Sequence, residues 1–200
     1  MAEQQALIGQ VLRASTVGFV CGTRSQSIEH PAFGAFVRTQ PDGASSMAVI
    51  GLIHAISIDD DPLVRQMILA NNMNPATIRD QRENRMVPLE ISVLNVGYEQ
   101  DGKLYQALPP RPPLSLDPVY LCDAATIARF TARLDFLRLV LSAGDVPTEE
   151  LLAAALKNAA DVRPLAERRA FLIEAGRQLA GLLSQELPRL QYVLRLLTPA

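Results

Sequence analysis

Ser46-Met47-Ala48-Val49-Ile50-Gly51-Leu52-Ile53-His54-Ala55-Ile56-Ser57-Ile58 is the stretch on which the fold of this chain turns. Met47, Val49 and Ile53 alternate onto one face, and Ile50, Leu52, Ile56 and Ile58 onto the other. A period of two is the signature of a strand, and a strand apolar on both faces must be covered on both. Gly51, in the middle, suits the bulge or sharp bend that a small closed barrel needs.

The flanking segments extend the pattern in both directions. Ala6–Ala14 and Thr16–Thr23 are apolar, β-branched runs parted by Ser15, and Phe33–Thr39 follows before a Pro41-Asp42-Gly43 turn. Val87–Tyr98 and Lys103–Leu108 form a hairpin signal around Gln100-Asp101-Gly102, and Val119–Cys122 is a last short strand. One interval departs from this. Leu63–Asn71 after Asp61-Pro62, and Pro75–Asn84, have helical spacing, which predicts a helical excursion over about 60–86. The prolines Pro109, Pro110, Pro112, Pro113 and Pro118 make 109–118 an extended connector; a PxxP ligand is the sharper reading of the same residues.

After Asp123 the period changes to 3.6. Ile127, Phe130, Leu134, Leu137 and Leu141 step by three and four, predicting one helix over Ala124–Ser142 closed by Gly144. Pro147–Ala160 and Pro164–Gln185 follow, and Pro188 heads a fourth helix striped by Leu187, Leu190, Leu194 and Leu197. The expected architecture is α+β: a small N-terminal β-barrel domain over 1–122, then an α-helical bundle domain over 123–200. The change of period predicts that the two parts are separable.

Composition narrows the function by exclusion. Of 200 residues, 48% are apolar and 20% charged, with a net charge of −2, so the chain is not of the disordered class. No apolar run approaches the length of a membrane span, and Met1–Gln5 lacks the basic start of a secretory signal. Two cysteines, Cys21 and Cys122, are no disulfide framework, and a reducing cytoplasm is the expected location. Neither part carries the clustered basic excess of a nucleic-acid surface.

The motifs of common chemistries are absent or broken. Gly176 and Gly181 have P-loop spacing, but Leu182 and Leu183 stand where lysine and a hydroxyl residue are needed. No GxGxxG follows a strand and no GxSxG occurs. Cys21, Cys122, His30 and His54 lack the paired spacings of a zinc site, and no third group orients a Cys–His nucleophile. Asp59-Asp60-Asp61 reads as a cap before a helix, and Arg79, Arg82 and Arg85 as a solvated face. Phe19, Phe33, Phe36 and Tyr98 lie in apolar runs and do not make a stacking platform. No catalytic, cofactor-binding or metal-ligating residue is expected, and the chain reads as a non-enzyme.

Two segments carry a resemblance. Ile8-Gly9-Gln10-Val11-Leu12-Arg13-Ala14-Ser15-Thr16, followed by Phe19-Val20, resembles the opening of the HAS barrel. His30-Pro31-Ala32-Phe33-Gly34-Ala35-Phe36-Val37, then Ala48-Val49-Ile50-Gly51-Leu52-Ile53-His54-Ala55-Ile56, is similar to its central part. That barrel stands at the N-terminus of HerA-type hexameric ATPases and of ATP synthase α and β subunits, where it packs in a ring. There a P-loop motor follows; here 77 helical-pattern residues do, so nothing catalytic carries over. The resemblance implies assembly or docking. The expected partners are a second copy, most simply in a two-fold dimer, or an ATPase or nuclease, with no membrane. The alternative is a nucleic-acid-associated factor that uses the barrel as an OB-like platform.

Overall fold

The computed structural model describes residues 6–25, 31–40, 47–58 and 87–198; the expected helical excursion, His30, Asp59–Asp61 and Arg79, Arg82 and Arg85 lie outside them. Among the described residues seven strands form one sheet: β1 (Leu7–Ala14), β2 (Gly18–Ser25), β3 (Phe36–Thr39), β4 (Met47–Ile58), β5 (Val87–Gln100), β6 (Lys103–Tyr105) and β7 (Pro118–Leu121). Their spatial order is β2-β1-β7-β3-β4-β5-β6, and β2 also pairs with β5. Every pairing is antiparallel; the β2–β5 pairing closes six of these strands into a barrel, and β6 hairpins onto the far end of β5. Asp101 and Gly102 turn that hairpin with φ of 50° and 74°, the left-handed pair a two-residue turn requires.

The two-sided strand explains the two cores. Met47, Val49 and Ile53 of β4 point into the lumen with Ile8, Val11, Phe19, Cys21, Val37, Ile91, Val93 and Val119. Ile50 and Leu52 point outward and join Phe36, Val96 and the helices. Bulges modulate this alternation. Between Ile53 and Ala55 the register slips by one residue, so His54 is the extra residue and Ile56 turns back to the lumen cluster. A second slip, between Ile50 and Gly51, leaves Val96 as the extra residue on β5 and lets Gly51 face Asn95. A Cβ at Gly51 would collide with Val93 Cγ1 and stand 2.9 Å from Leu94 O, so close approach is what glycine permits there.

The proline segment belongs to the barrel. It returns the chain so that β7 enters between β1 and β3. Pro109 and Pro113 are buried, because the segment lies on the protein surface it crosses.

Five helices follow: α1 (Ala124–Phe130), α2 (Leu137–Leu141), α3 (Thr148–Asp161), α4 (Leu165–Leu182) and α5 (Leu187–Leu197). Asp123 caps α1 by accepting from Thr126 N at 2.6 Å. The single helix expected over Ala124–Ser142 is corrected: the chain leaves helical geometry between Phe130 and Leu137. Gln106, from beyond β6, is the physical reason. Its amide donates to Phe130 O and to Arg133 O (2.9 Å) and accepts from Phe136 N (2.8 Å), replacing bonds a continuous helix would make. The break lets Phe130 and Phe136, six residues apart, both pack on Phe36, with ring centroids 6.0 and 5.9 Å away.

α3 lies at the centre of the helical layer, burying Leu151, Leu152, Ala155, Leu156 and Ala159, among others. α4 and α5 are more peripheral. Among their residues only Ala175 and Leu179 on α4 and Val193 on α5 are buried. Arg189 pins α5 to α3 through Glu149, and Tyr192 donates to Glu150 at 2.7 Å. No described helix is long and apolar enough to cross a membrane.

Candidate functional site

The helical layer covers the outer face of β3, β4 and the C-terminal half of β5 and stops short of β1 and β2. At that margin a groove of about 610 Å³ opens, within the roughly 300–1,000 Å³ usual for ligand pockets. Its floor is the outer wall of four adjacent strands. His54 comes from β4, Ser92 and Leu94 from β5, Gly18 and Val20 from β2, and Arg13 from β1. The loop between α2 and α3, Ser142–Val146, forms the opposite bank.

Two bulges set the polar groups of this floor. His54 is the extra residue of the β4 bulge, opposite the step from Val93 to Ser92. Leu12 is the extra residue of the β1 bulge, after which Arg13 resumes pairing opposite Val20. Bulges re-aim side chains at the rims of barrels. The end of the groove is held by Asn95, fully buried, whose amide donates to Ser15 O (3.2 Å) and Thr16 O (3.0 Å). The backbone N–H of Asn95 also binds Val17 O at 3.0 Å, so the β1–β2 turn is fixed in place.

The electrostatics are simple. Partial burial lowers the pKa of His54 from its ordinary 6.5, so the imidazole is neutral at pH 7. Arg13 is ion-paired to Glu90, which compensates its charge. Asp145 lines the opposite bank and has no salt bridge among the described residues. The groove is therefore mainly aliphatic, with a neutral imidazole and one uncompensated carboxylate.

The remaining sequence candidates scatter. Cys21 lies in the lumen core and Cys122 in the outer core. Burial pushes both thiols up to about 12, so both are protonated and poor nucleophiles at neutral pH. Among the described residues no three His, Cys, Asp or Glu side chains converge as a metal site. Gly176 packs near Leu194, and a Cβ at Gly181 would meet open space, which is ordinary helix surface rather than a phosphate cradle. Phe19 and Phe36 are core residues. Tyr98 stacks on Tyr105 at 4.9 Å.

A second hollow of about 460 Å³ lies between β6 and α1. Its arginines are spoken for: Arg129 binds Glu99 at 2.7 Å and Arg133 binds Asp135 at 2.6 Å. Sequence reasoning singled out His54 but missed Arg13, Ser92 and Asp145 as its neighbours. They come from separate stretches, and no local spacing connects them. No family model matches the chain, and no curated protein matches it in sequence.

Proposed function

We propose that this chain is a non-enzymatic assembly or docking module, of the kind its resemblance to the HAS barrel implies. The observation that carries the reading is a hydrogen-bonded apolar turn built against β1, outside the core that the described helices share with the barrel. Leu114 and Leu116 are 71% and 70% exposed. Their turn is nonetheless firmly built. Leu114 N donates to Asp117 Oδ2 at 2.8 Å, Asp117 N to Leu114 O at 3.1 Å, and Leu116 N to Val11 O at 2.8 Å.

Leu116 has a φ of 73°, where glycine or asparagine is the comfortable residue and leucine is strained. Neither local geometry nor the core calls for a leucine here, which supports a contact beyond the chain as its reason. Leu12, exposed on β1 next to Val11, adds to the apolar area. The nucleic-acid alternative draws less support. Arg13, Arg38, Arg129 and Arg133 are engaged by carboxylates, and the groove's uncompensated charge is negative.

Sedimentation of the wild-type chain against Leu114→Ser/Leu116→Gly, together with native co-purification, tests this reading. Glycine relieves the strained φ, so the double variant keeps the wild-type circular dichroism while losing self-association or a co-purifying protein. A wild-type chain that is monomeric at about 100 μM, and co-purifies the same proteins as the variant, overturns the reading.

A further inference from the structure

The groove beside His54 has a composition that selects among partners. Its wall offers aliphatic surface from Val17, Val20, Leu94 and Val146, which recognises aliphatic side chains of any sequence. Selection must come from its polar groups. The Arg13 guanidinium is an obvious receptor for an anion, but Glu90 already holds it. His54, half-buried and neutral at pH 7, adds a hydrogen-bonding group and no positive charge. Asp145 remains, on the opposite bank, a carboxylate with no ion-pair partner among the described residues.

We infer that this groove docks an extended segment of a partner protein that lays aliphatic side chains across β2 and β5 and brings a lysine ammonium to Asp145. The inference rests on the docking reading above and deepens it by naming the chemistry of the partner. Recognition runs through side chains because the strands beneath the groove are already paired on both edges: β5 lies between β4 and β2, and β2 between β5 and β1. A peptide therefore cannot join the sheet here as an added strand. The charges of the groove also give the preference a sign. An acidic segment meets Asp145 and a guanidinium already shared with Glu90, and a basic one finds a carboxylate with no ion-pair partner among the described residues.

Three blocked tripeptides of matched shape test this: acetyl-Leu-Lys-Leu-amide, acetyl-Leu-Gln-Leu-amide and acetyl-Leu-Glu-Leu-amide. Each is titrated into the full-length ¹⁵N-labelled chain while the amide signals of Ser92, Leu94 and Val146 are followed. The lysine peptide is expected to shift these signals and to bind about 5-fold more tightly than the glutamate peptide, roughly the value of one surface ion pair. Asp145→Lys, in an exposed loop, is expected to reverse the order of the two charged peptides. Added salt is expected to compress the difference in both proteins. Equal shifts from all three peptides, a wild-type preference for the glutamate peptide, or no shift at these residues overturns the inference. If that happens while the Leu114/Leu116 double variant still abolishes association, the groove inference falls and the docking reading stands.

Discussion

Single residues carry much of the strain and much of the specificity of this barrel. Gly51 is required by proximity: a side chain there would enter the space of Val93 and the Leu94 backbone. Gly51→Val is expected to lower the unfolding free energy by about 2–4 kcal/mol, read as a reduced urea midpoint. An unchanged midpoint would mean that the β4–β5 bulge relaxes freely. His54 should leave a mark on the acid side of the stability curve. Its folded pKa lies below the ordinary 6.5, so above that value both states are neutral and the residue contributes nothing. As pH falls through 6.5 the unfolded chain takes up the proton first, and stability declines until the folded-state value is passed. Wild type minus His54→Gln, measured in urea from roughly pH 7 to pH 5, should therefore grow more unfavourable toward acid. A flat difference would place the imidazole in bulk water. Arg13, Glu90 and Asp145 are the neighbouring charged groups, and they are common to both proteins.

Elements here are decided partly by local pattern and partly by one distant side chain. The run expected at Ser46–Ile58 is β4, Met47–Ile58, and the run expected at Val87–Tyr98 is β5, Val87–Gln100. Alternation over a dozen residues leaves little freedom, since a one-residue slip would turn a whole apolar face to water. The helix expected over Ala124–Ser142 fails for the opposite reason. Nothing inside it breaks helical periodicity; Gln106, about thirty positions away, supplies the competing hydrogen bonds. Gln106→Leu leaves Phe130 O, Arg133 O and Phe136 N without those partners. A loss of about 2–4 kcal/mol is expected by chemical denaturation, together with weakened packing of Phe130 and Phe136 on Phe36. A substitution without effect would show that the α1–α2 turn holds itself. The same limit hides the groove, whose banks are separate elements brought side by side only by the fold.

For the whole molecule, the decisive fact is that barrel and helices share a core. Phe36, Ile50, Leu52 and Val96 are nearly inaccessible, and their neighbours are Ile127, Phe130, Phe136, Leu137, Val140 and Leu152. Removing residues 123–200 would expose those four side chains, a loss of roughly 6–12 kcal/mol at 1.5–3 kcal/mol each. That matches the whole stability of an ordinary domain, about 5–15 kcal/mol. Residues 1–122 expressed alone are therefore expected to aggregate or to bind a hydrophobic dye strongly. A soluble fragment with β-type circular dichroism and no dye binding would show that the barrel stands without its helical layer.

The sequence by itself determined the strands of the barrel, the helical character of the C-terminal part and the place where one period gives way to the other. Those follow from short-range rules: alternation for strands, three-four spacing for helices, and proline and glycine as punctuation. Only the tertiary structure decided that β7 enters between β1 and β3, that Ile56 returns to the lumen, and that Phe130 and Phe136 meet. Only it brought Arg13, His54, Ser92 and Asp145 to one groove. Each of these depends on contacts between residues far apart in the chain or on a one-residue bulge, and neither leaves a periodic trace in the sequence.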